Sequence, residues 1–555
     1  MSYITRWKEE TPKNTIAKIK NFLKEHDIEV EEVNKTNSKG CYALTLILKD
    51  TNLFVNGKGT TLEYATASAY GEFMERISTL VLFRYNHKGL TTKDEGPIYI
   101  NEELFFTSEE YYSNDVLRVV SDYNISYEEA LAVQEYFTSF NEKLVVEELT
   151  HLVTGEKKLF PMSMTDILYG TNGMSYGNTL DEAKVQALSE VFERYANREI
   201  VKRRLTPPII ENIEELLNPQ LYSLIQEIQG EELTFKIMDA GIGLELPVIC
   251  VLFEHIPSNK YYVKFGAHFD INIAVERCFT ELFQGRNIND LGFLKEKVYV
   301  DDLSWQETNL ESILHNGDGY YPLELFKEDE HSYPKKQWGN ISSNSEGVKV
   351  FEALLNSLSK KVYFKDYSHH GHHVVRYLVE GISEIHIRID QKIAWQINIV
   401  KIVAKLKRLT TLTVVELRSV ISFIESSSSR EDVTLIPYFR HPIKLGSRYR
   451  YFNLILLRFV LAVKEKDREK ALIEAEKYGS LLNKNENIEA SLKSILQFME
   501  QPLSEEKYNS LIEVITIKIF KFNELEEEDF CQKGECYCNG IARNYKKIKG
   551  ILKGE

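Results

Sequence analysis

The chain has 555 residues, of which 43% are hydrophobic and 27% charged, and its formal net charge is −15 at pH 7. This length predicts two or three domains, and the acidic charge, which no basic tract offsets, argues against general binding to nucleic acid or to an anionic membrane. The polar N-terminal segment lacks the features of a signal sequence, the most apolar stretch (452–463) is too short to span a bilayer, and the six cysteines lack regular spacing, which together predict a protein of the reducing cytoplasm.

The N-terminal region is predicted to contain one helix and two strands. Residues 15–28 (TIAKIKNFLKEHDI) have the helical spacing of apolar residues, with Thr15 as the candidate N-cap. The segments 42–50 (YALTLILKD) and 52–59 (NLFVNGKG) are predicted as strands, and the second leads directly into a helix.

This helix is the first of three copies of one pattern. Residues 61–76 (TLEYATASAYGEFMER) superpose on residues 179–194 (TLDEAKVQALSEVFER), and a weaker copy, AVERCFTELFQGR, begins at Ala274. The shared positions are two small residues on one helix face, followed by two acids. A single Glu-x2-Glu-Arg run is typical of a solvated helix face with local ion pairs. Three matched copies instead favour one common site.

If the three helices converge, their polar residues surround one space. These residues are Glu72, Glu75, Glu190, Glu193, Glu281 and Gln284. So many acids cannot share a pocket unless cations neutralise them. Oxygen ligands at this density suit Mg²⁺, which proteins usually hold together with the phosphates of a substrate. The repeats therefore predict a carboxylate site for hard cations.

A glycine-rich segment precedes each copy, at residues 56–59, 172–178 and 264–270. The predicted unit is therefore a strand, a glycine turn and a helix. No Walker phosphate loop occurs, but a glycine turn before a helix can present amide N–H groups to phosphate. Ser175 and Asn178 could add neutral donors to a phosphate or a ribose. Arg277, at the position that Gln186 has in the second copy, is either a structural ion-pair partner or a phosphate clamp.

Two further groups of residues invite a metal interpretation. The first is the set of histidines in a predicted strand–turn–strand segment (361–381): His369, His370, His372 and His373. Zinc is disfavoured there because neighbours on a strand point to opposite faces and no carboxylate or cysteine spacing completes a site. The second is the cysteine cluster Cys531, Cys536 and Cys538. It could hold a metal or carry sulfur, but incidental reduced thiols are the favoured interpretation.

From about residue 390 onward the pattern is one of successive helices, among them residues 452–467 and 468–482. Their pairing resembles the antiparallel helices of tetratricopeptide repeats, and residues 426–429, all serine, are predicted as a loop. We therefore predict an α+β domain over residues 1–388, built from repeated strand–turn–helix units, and an all-helical tetratricopeptide-like domain over residues 389–555.

Three segments resemble the nucleotide-binding motifs of the YcaO family: VNGKGTTLEYATASAYGEFMERIS, NGMSYGNTLDEAKVQALSEVFERY and FGAHFDINIAVERCFTELFQGR. The resemblance covers roughly residues 1–388 and implies an α+β core that binds ATP and Mg²⁺. The implied Mg²⁺ ligands are Glu72, Glu75, Glu190 and Glu193. The implied nucleotide contacts are Lys8, Thr15, Ser175, Asn178, Glu182, Gln186, Arg194, Arg277, Glu281 and Arg286. The implied catalytic residues are Glu190, Glu193 and Arg277.

Characterised members of this family activate a peptide amide: a nucleophile adds to the carbonyl, and ATP phosphorylates the resulting oxyanion. The resemblance implies the same chemistry here, on a protein substrate. The helical tail is similar to that of bacterial members associated with methylthiolation of a ribosomal small-subunit protein. This implies an accessory role in β-methylthiolation, a ribosomal or methylthiotransferase partner, and a homodimer.

Two features qualify the implied activity. Family members that form azolines end in a proline-rich tail, whereas this chain ends KIKGILKGE, so cyclodehydration is not expected. The alternative is an adaptor protein in which the helical tail binds partners and ATP is a structural or regulatory ligand.

Overall fold

The structure is a computed structural model, and it describes residues 7–84, 104–113, 125–137, 143–229, 232–282, 291–298, 303–338, 341–427, 434–435, 438, 452–481, 497, 504, 507, 510 and 538–554. Helices and strands are interspersed up to residue 379, and the elements from residue 389 onward in these ranges are helices. The chain therefore has a mixed α+β region followed by a helical C-terminal region.

The elements before residue 140 are helix α1 (Pro12–Glu25), strands β1 (Val30–Ser38), β2 (Cys41–Leu48) and β3 (Phe54–Gly59), helices α2 (Leu62–Ser78) and α3 (Val81–Arg84), strand β4 (Leu104–Phe106), and helices α4 (Ser108–Ser113) and α5 (Tyr127–Phe137). Then come β5 (Leu144–His151), β6 (Lys157–Pro161), α6 (Met162–Tyr169), β7 (Met174–Gly177), α7 (Leu180–Arg203), α8 (Ile213–Leu216), α9 (Pro219–Gln229) and β8 (Leu233–Asp239).

The α+β region continues with β9 (Val248–His255), β10 (Lys260–Ala267), α10 (Ile271–Leu282), β11 (Lys295–Glu296), α11 (Leu303–Asn316), α12 (Asn344–Ser357), β12 (Val362–Asp366) and β13 (His373–Val379). Among the described residues, the C-terminal helices are α13 (Ile389–Lys407), α14 (Val414–Ser427), α15 (Leu454–Lys464), α16 (Arg468–Leu481) and α17 (Cys538–Lys553).

The strands in the described ranges form three antiparallel sheets, and each repeat contributes its strand to a different one. The first sheet has the order β1-β2-β3, the second β11-β10-β9-β8, and the third β4-β5-β12-β13-β7 with β6 paired to β5. Helix α2 packs on β3, α7 on β7 and α10 on β10. The predicted strand–helix units are thus confirmed, and their three helices meet where the sheets adjoin.

The prediction that glycine turns separate these strands from their helices is wrong. Gly57 and Gly59 lie inside β3, and Gly266 lies inside β10. A Cβ atom at Gly57 would lie 2.1 Å from the backbone oxygen of Ala65, and one at Gly266 would lie 2.2 Å from that of Ala274. These glycines therefore let each helix lie directly against its own strand.

The N-terminal helix begins earlier than its apolar spacing predicts. Its N-cap is Thr11, whose hydroxyl accepts a hydrogen bond from the Asn14 amide, and Pro12 occupies the first turn. Thr15 therefore is not the cap but a buried side chain within the helix. Helices α2 and α7 both begin after a threonine N-cap, Thr61 and Thr179 respectively, as matched copies should.

The C-terminal helices share a core of their own, but the last of them returns to the α+β region. Apolar side chains of α13–α16, such as Leu406, Leu417 and Leu457, form one buried cluster. Those of α17, among them Tyr545, instead join the cluster that contains α1 and α2. The prediction of a boundary at residue 388 stays a prediction, although α13 begins at Ile389, whose side chain packs beneath the third sheet.

Two details of the helical region bear on the sequence predictions. Of the residues predicted as a serine loop (426–429), the first two end helix α14, and the others lie outside the described residues. The apolar stretch 452–463 forms the buried helix α15, in which Arg458 pairs with Glu425 at 2.7 Å. No helix in the described ranges combines the length and apolarity needed to cross a membrane.

Candidate functional site

A cavity of about 530 Å³ lies between the three repeat helices. Its lining includes Glu72, Glu75 and Arg76 of α2, Glu182, Gln186, Glu190, Glu193, Arg194 and Asn197 of α7, and Arg277 and Glu281 of α10. The wall is completed by Lys8, Thr15, Lys58, Ser175, Asn178, Lys264, His315 and Gly317, among others. The predicted site residues that the structure describes thus come together in one cavity.

Two predicted residues cannot be placed in this way. Arg286, an implied nucleotide contact, and Gln284, the second polar position of the third copy, lie outside the described residues. The roles of the other residues stay predictions, since their positions alone do not assign them.

Helix α7 runs along the cavity and provides its longest wall. Glu182, Gln186, Glu190, Glu193 and Asn197 are three or four residues apart, so they share one face of the helix. The distance from Glu182 to Glu193 along the axis is about 16 Å at the helical rise of 1.5 Å per residue. The cavity is therefore elongated, with different chemistry at its two ends.

The end near the N-terminus of α7 is a closed hydrogen-bonded group. Lys8 Nζ lies 3.1 Å from Glu182 Oε1, and the other Glu182 oxygen accepts hydrogen bonds from the backbone and side-chain amides of Asn178. The Thr15 hydroxyl donates to Asn178 Oδ1 at 2.9 Å. Thr15 therefore ties α1 to the segment before α7, which explains its burial.

The middle of the cavity holds two matched pairs of acid and arginine. Arg76 lies 3.2 Å from Glu72 and 3.1 Å from Glu75. At the equivalent place in the second copy, Arg194 lies 2.9 Å from Glu190, and it also donates to the backbone oxygen of Leu314 at 3.0 Å. The arginines offset part of the carboxylate charge and hold the side chains facing one another.

This neutralisation is incomplete. Burial raises the pKa of Glu75 to about 8; Arg76 opposes the rise, while Glu190 and Glu72 add to it. Burial also raises the pKa of Glu193, and the nearby charge of Glu281 acts in the same direction. Carboxyl groups with raised pKa values are poised to exchange a proton for a metal cation.

Arg277 has a neutral partner instead of the acid that an ion pair would need. Its guanidinium donates hydrogen bonds to the side-chain oxygen of Gln186 and to the backbone oxygen of Ala267. Gln186 occupies the equivalent position on α7, so the two repeat helices are linked at matched residues. The positive charge of Arg277 thus remains available to an anion in the cavity.

Two lysines were missed by sequence reasoning. Lys58 Nζ lies 2.6 Å from Glu281 Oε1, and Lys264 Nζ lies 3.8 Å from Glu281 Oε2. Burial acts to raise the pKa of Glu281, but the two lysines lower it below its usual range. The only sequence signal was that both lysines lie in the glycine-rich segments before the first and third copies.

The donor set fits Mg²⁺ bound together with a phosphate ligand. No three His, Cys, Asp or Glu side chains among the described residues are grouped so as to hold a metal ion by themselves. Mg²⁺ characteristically takes one or two carboxylates and completes its shell with water and phosphate oxygens. Carboxylates on separate, facing helices suit this coordination of Mg²⁺. The cationic side chains nearby suit the negatively charged phosphates.

The histidine-rich segment forms the predicted strand–turn–strand, with β12 paired to β13. It lies by α1, where Phe22 packs against several imidazoles, and His369 Nε2 lies 2.7 Å from the Ser78 hydroxyl. Burial lowers the pKa of His369 to about 4 and that of His372 to about 3. Both are therefore neutral, packed side chains at pH 7. Of the cysteine cluster, residues 531 and 536 lie outside the described residues.

An α+β core of three strand–helix units around one carboxylate-lined cavity is typical of a protein that binds a nucleotide with divalent cations. Residues 56–383 match the family model described as YcaO cyclodehydratase, ATP- and Mg²⁺-binding. The match spans more than half of the chain, which therefore belongs to the YcaO family. ATP and Mg²⁺ are accordingly its cofactors.

Two curated relatives are each similar to about two thirds of the chain. The ribosomal protein S12 methylthiotransferase accessory factor YcaO of Escherichia coli K12 is 31% identical over 382 residues. An uncharacterized protein of Haemophilus influenzae Rd is 29% identical over 385 residues. Each match covers 67% of this chain but only 65% of the relative's own length.

Solved structures resemble the chain more distantly. YcaO from Methanopyrus kandleri, bound with AMPPCP and Mg²⁺, is 18% identical with a TM-score of 0.41, covering 68% of this chain and 93% of its own. A heterocyclase in complex with substrate and cofactor is 19% identical with a TM-score of 0.43, covering 67% of this chain and 52% of its own. Likenesses at these scores carry no residue assignment.

Proposed function

We propose that the protein uses ATP to activate an amide or related carbonyl oxygen of a protein substrate by phosphorylation. The observation that carries the proposal is the meeting of acids from three repeat helices at one cavity that also holds Arg277 and two lysines. Phosphoryl transfer needs charge neutralisation and positioning more than covalent chemistry from the protein. Such a cavity offers both.

In this proposal Glu72, Glu75, Glu190 and Glu193 hold Mg²⁺. When bound, Mg-ATP supplies a transferable phosphoryl group, and the metal neutralises the charge on its oxygens. The carboxylates of α2 and α7 line the same cavity and would hold the metal there. Arg76 and Arg194, which also line the cavity, hold these side chains in place through the ion pairs described above.

The nucleotide is proposed to lie along α7. Its contacts are Lys8, Thr15, Ser175, Asn178, Glu182, Gln186, Arg194, Arg277, Glu281 and Arg286. The hydrogen-bonded group around Glu182 is polar and suits the ribose or base, while the acids and Arg277 suit the phosphate end. Arg277, held by Gln186, is the proposed catalytic cation for the phosphoryl group, with Glu190 and Glu193 as the catalytic metal-holding acids.

The biological role is proposed from the relative in Escherichia coli, whose name describes an accessory factor for a methylthiotransferase of ribosomal protein S12. By that similarity this protein is accessory to β-methylthiolation of a ribosomal small-subunit protein in the cytoplasm. Its helical C-terminal region, tetratricopeptide-like in this proposal, binds the methylthiotransferase or the ribosomal protein, and the protein acts as a homodimer. Azoline formation is not part of the proposal.

Substitution of Glu190 tests the proposed activity. We expect Glu190→Gln to reduce Mg²⁺-dependent ATP turnover, measured with sulfide and candidate protein substrates present, by at least about 100-fold, because a metal-holding charge is lost. Glu199→Gln is the matched control, since Glu199 lies on the same helix but pairs with Arg198 outside the cavity. Absence of turnover in the wild type under every condition would contradict an enzymatic role.

A second candidate is an adaptor in which ATP is a structural or regulatory ligand, favoured by the buried core that α13–α16 form among themselves. The same variant separates the two functions. Ribosomal protein S12 is isolated from cells in which the Glu190→Gln variant is the only form of this protein. Its methylthio modification is then measured by mass spectrometry. Loss of the methylthio group supports the enzyme, whereas full modification by a variant that still binds ATP supports the adaptor.

A further inference from the structure

Lys58, Lys264 and Glu281 form a charged group in the cavity wall, and the proposed function counts the two lysines among its cations but gives neither a specific role. Each lysine lies against a different oxygen of the same carboxylate, at 2.6 Å for Lys58 and 3.8 Å for Lys264. The three side chains together carry one net positive charge. Glu281 is thus surrounded by ammonium groups, in contrast to Glu75 and Glu193 on the other helices.

This group lies at the phosphate end of the cavity. Glu281 is one helical turn beyond Arg277, whose guanidinium contacts Gln186 of α7. One turn beyond Gln186 is Glu190, and the charge of Glu281 acts on nearby Glu193. The Lys8–Glu182 pair lies at the opposite end, about 16 Å away along α7 by the helical rise. The two lysines therefore adjoin the proposed Mg²⁺ ligands and not the nucleoside end.

Lys264 is largely enclosed. Its side chain is 10% exposed and emerges from the central part of β10. Gly317, just after α11, faces it: a Cβ atom there would lie 3.1 Å from Lys264 Nζ. An ammonium group in such a place is costly unless anions surround it. The fold therefore maintains a fixed cation beside the metal-binding acids.

We propose that Lys58 and Lys264 form a subsite for inorganic phosphate, next to the Mg²⁺ carboxylates, and that Glu281 positions the two ammonium groups. Phosphate is a compact anion whose oxygens accept charge-assisted hydrogen bonds, and lysines bind it as point charges. The inference rests on the proposed function: phosphoryl transfer places the phosphoryl group on the substrate oxygen, and inorganic phosphate is released when the bond between the substrate carbon and that oxygen then breaks. Glu281 is then a positioning residue and not a metal ligand.

The test is a titration of inorganic phosphate into the full-length protein saturated with Mg-ADP, at fixed free Mg²⁺, followed by ³¹P NMR and calorimetry. Lys58→Met and Lys264→Met remove one ammonium group each, and Lys264→Arg retains the charge. Lys335→Met is the matched control, because Lys335 pairs with Glu211 at 3.7 Å on the surface and does not line the cavity.

We expect each Lys→Met variant to weaken phosphate binding at least about tenfold, because one charge-assisted hydrogen bond is lost. Lys264→Arg and Lys335→Met should bind phosphate as the wild type does, and Mg-ADP affinity should be unchanged in all four variants. Unchanged Mg-ADP affinity also shows that the variants fold.

Two results overturn the inference. If phosphate does not bind the wild-type Mg-ADP complex, the subsite does not exist. If the Lys→Met substitutions weaken the binding of Mg-ADP as much as the binding of phosphate, the lysines bind the nucleotide instead. Failure of the wild type to bind Mg-ADP at all would contradict the proposed function, and so the two failures are distinguishable.

Discussion

The carboxyl group of Glu75 is held where its ionisation is opposed. Its side chain is 12% exposed, and burial raises its pKa to about 8 although Arg76 acts against the rise. Between about pH 4.5 and pH 8 the folded protein therefore binds more protons at this site than the unfolded chain does. The contribution of Glu75 to the free energy of unfolding of the metal-free protein therefore falls as the pH rises through this interval. A bound cation removes the effect because it takes the place of the proton.

Replacement of Glu75 should expose this linkage. We expect Glu75→Gln to raise the Tm of the metal-free protein by a few degrees at pH 8.5 and to leave it nearly unchanged at pH 5, because the amide cannot ionise. Glu63→Gln, on the exposed face of the same helix, is the control. Calorimetric scans at the two pH values provide the measurement, and equal shifts at both would contradict the raised pKa.

The acids of the cavity could be predicted from the sequence because the repeats single them out. Lys58 and Lys264 could not be predicted in this way, because the second copy has no lysine at either position. Superposition of the copies places Tyr176 at the position of Lys58 and Gly173 at that of Lys264. Their importance comes from Glu281, which only the tertiary structure brings to them. The prediction of Thr15 as the N-cap was wrong because a stronger helix start, Thr11 followed by Pro12, lies one turn earlier.

At the scale of the element, each repeat consists of a strand and a helix that packs directly against it, with a very short distance between the two backbones. Backbone atoms of α2 and α10 approach the positions of Gly57 and Gly266 so closely that no side chain fits between. Because the acids are on these helices, the distance between strand and helix also determines where the carboxylates point. The strand–helix order was predictable from periodicity, but the role of the glycines was not, since close packing leaves no periodic signal.

A methyl group at Gly57 should therefore disturb the site. We expect Gly57→Ala to lower the free energy of unfolding by about 1–3 kcal/mol, the usual cost of overpacking, and to weaken Mg-ATP binding by displacing Glu72 and Glu75. Gly479→Ala is the control, because a Cβ atom there meets nothing within 4 Å. Denaturant unfolding and calorimetry are the measurements, and wild-type values for both quantities would show that α2 can move without consequence.

At the scale of the whole molecule, helix α17 packs the C-terminal end of the chain against its N-terminal region. Tyr545 is 1% exposed, and its ring meets that of Phe83 edge-on with centroids 5.5 Å apart. Arg543 pairs with Asp50, although the two residues are 493 positions apart. The helical character of this region was evident in the sequence. Its return to α1 and α2 was not, because nothing local in a helix identifies a distant partner.

Loss of the Tyr545 ring should destabilise the α1–α2 core and not only the tail. We expect Tyr545→Ala to lower the free energy of unfolding by about 3 kcal/mol, as for other buried aromatic side chains. Lys553→Ala, at an exposed position of the same helix, should have no measurable effect. Hydrogen exchange of amides in α1 and α2 would locate the change, and an effect confined to α17 would contradict the shared core.

The position of α17 also has a consequence for biosynthesis. Thr15 on α1 lines one end of the cavity, and apolar side chains of α1 belong to the same buried cluster as those of α17, a helix that begins at residue 538. A nascent chain therefore cannot complete this cluster until α17 has emerged from the ribosome. We expect stable nucleotide binding to become possible only late in translation. We expect ribosome-bound chains that lack α17 to depend on chaperones or on ATP to remain soluble.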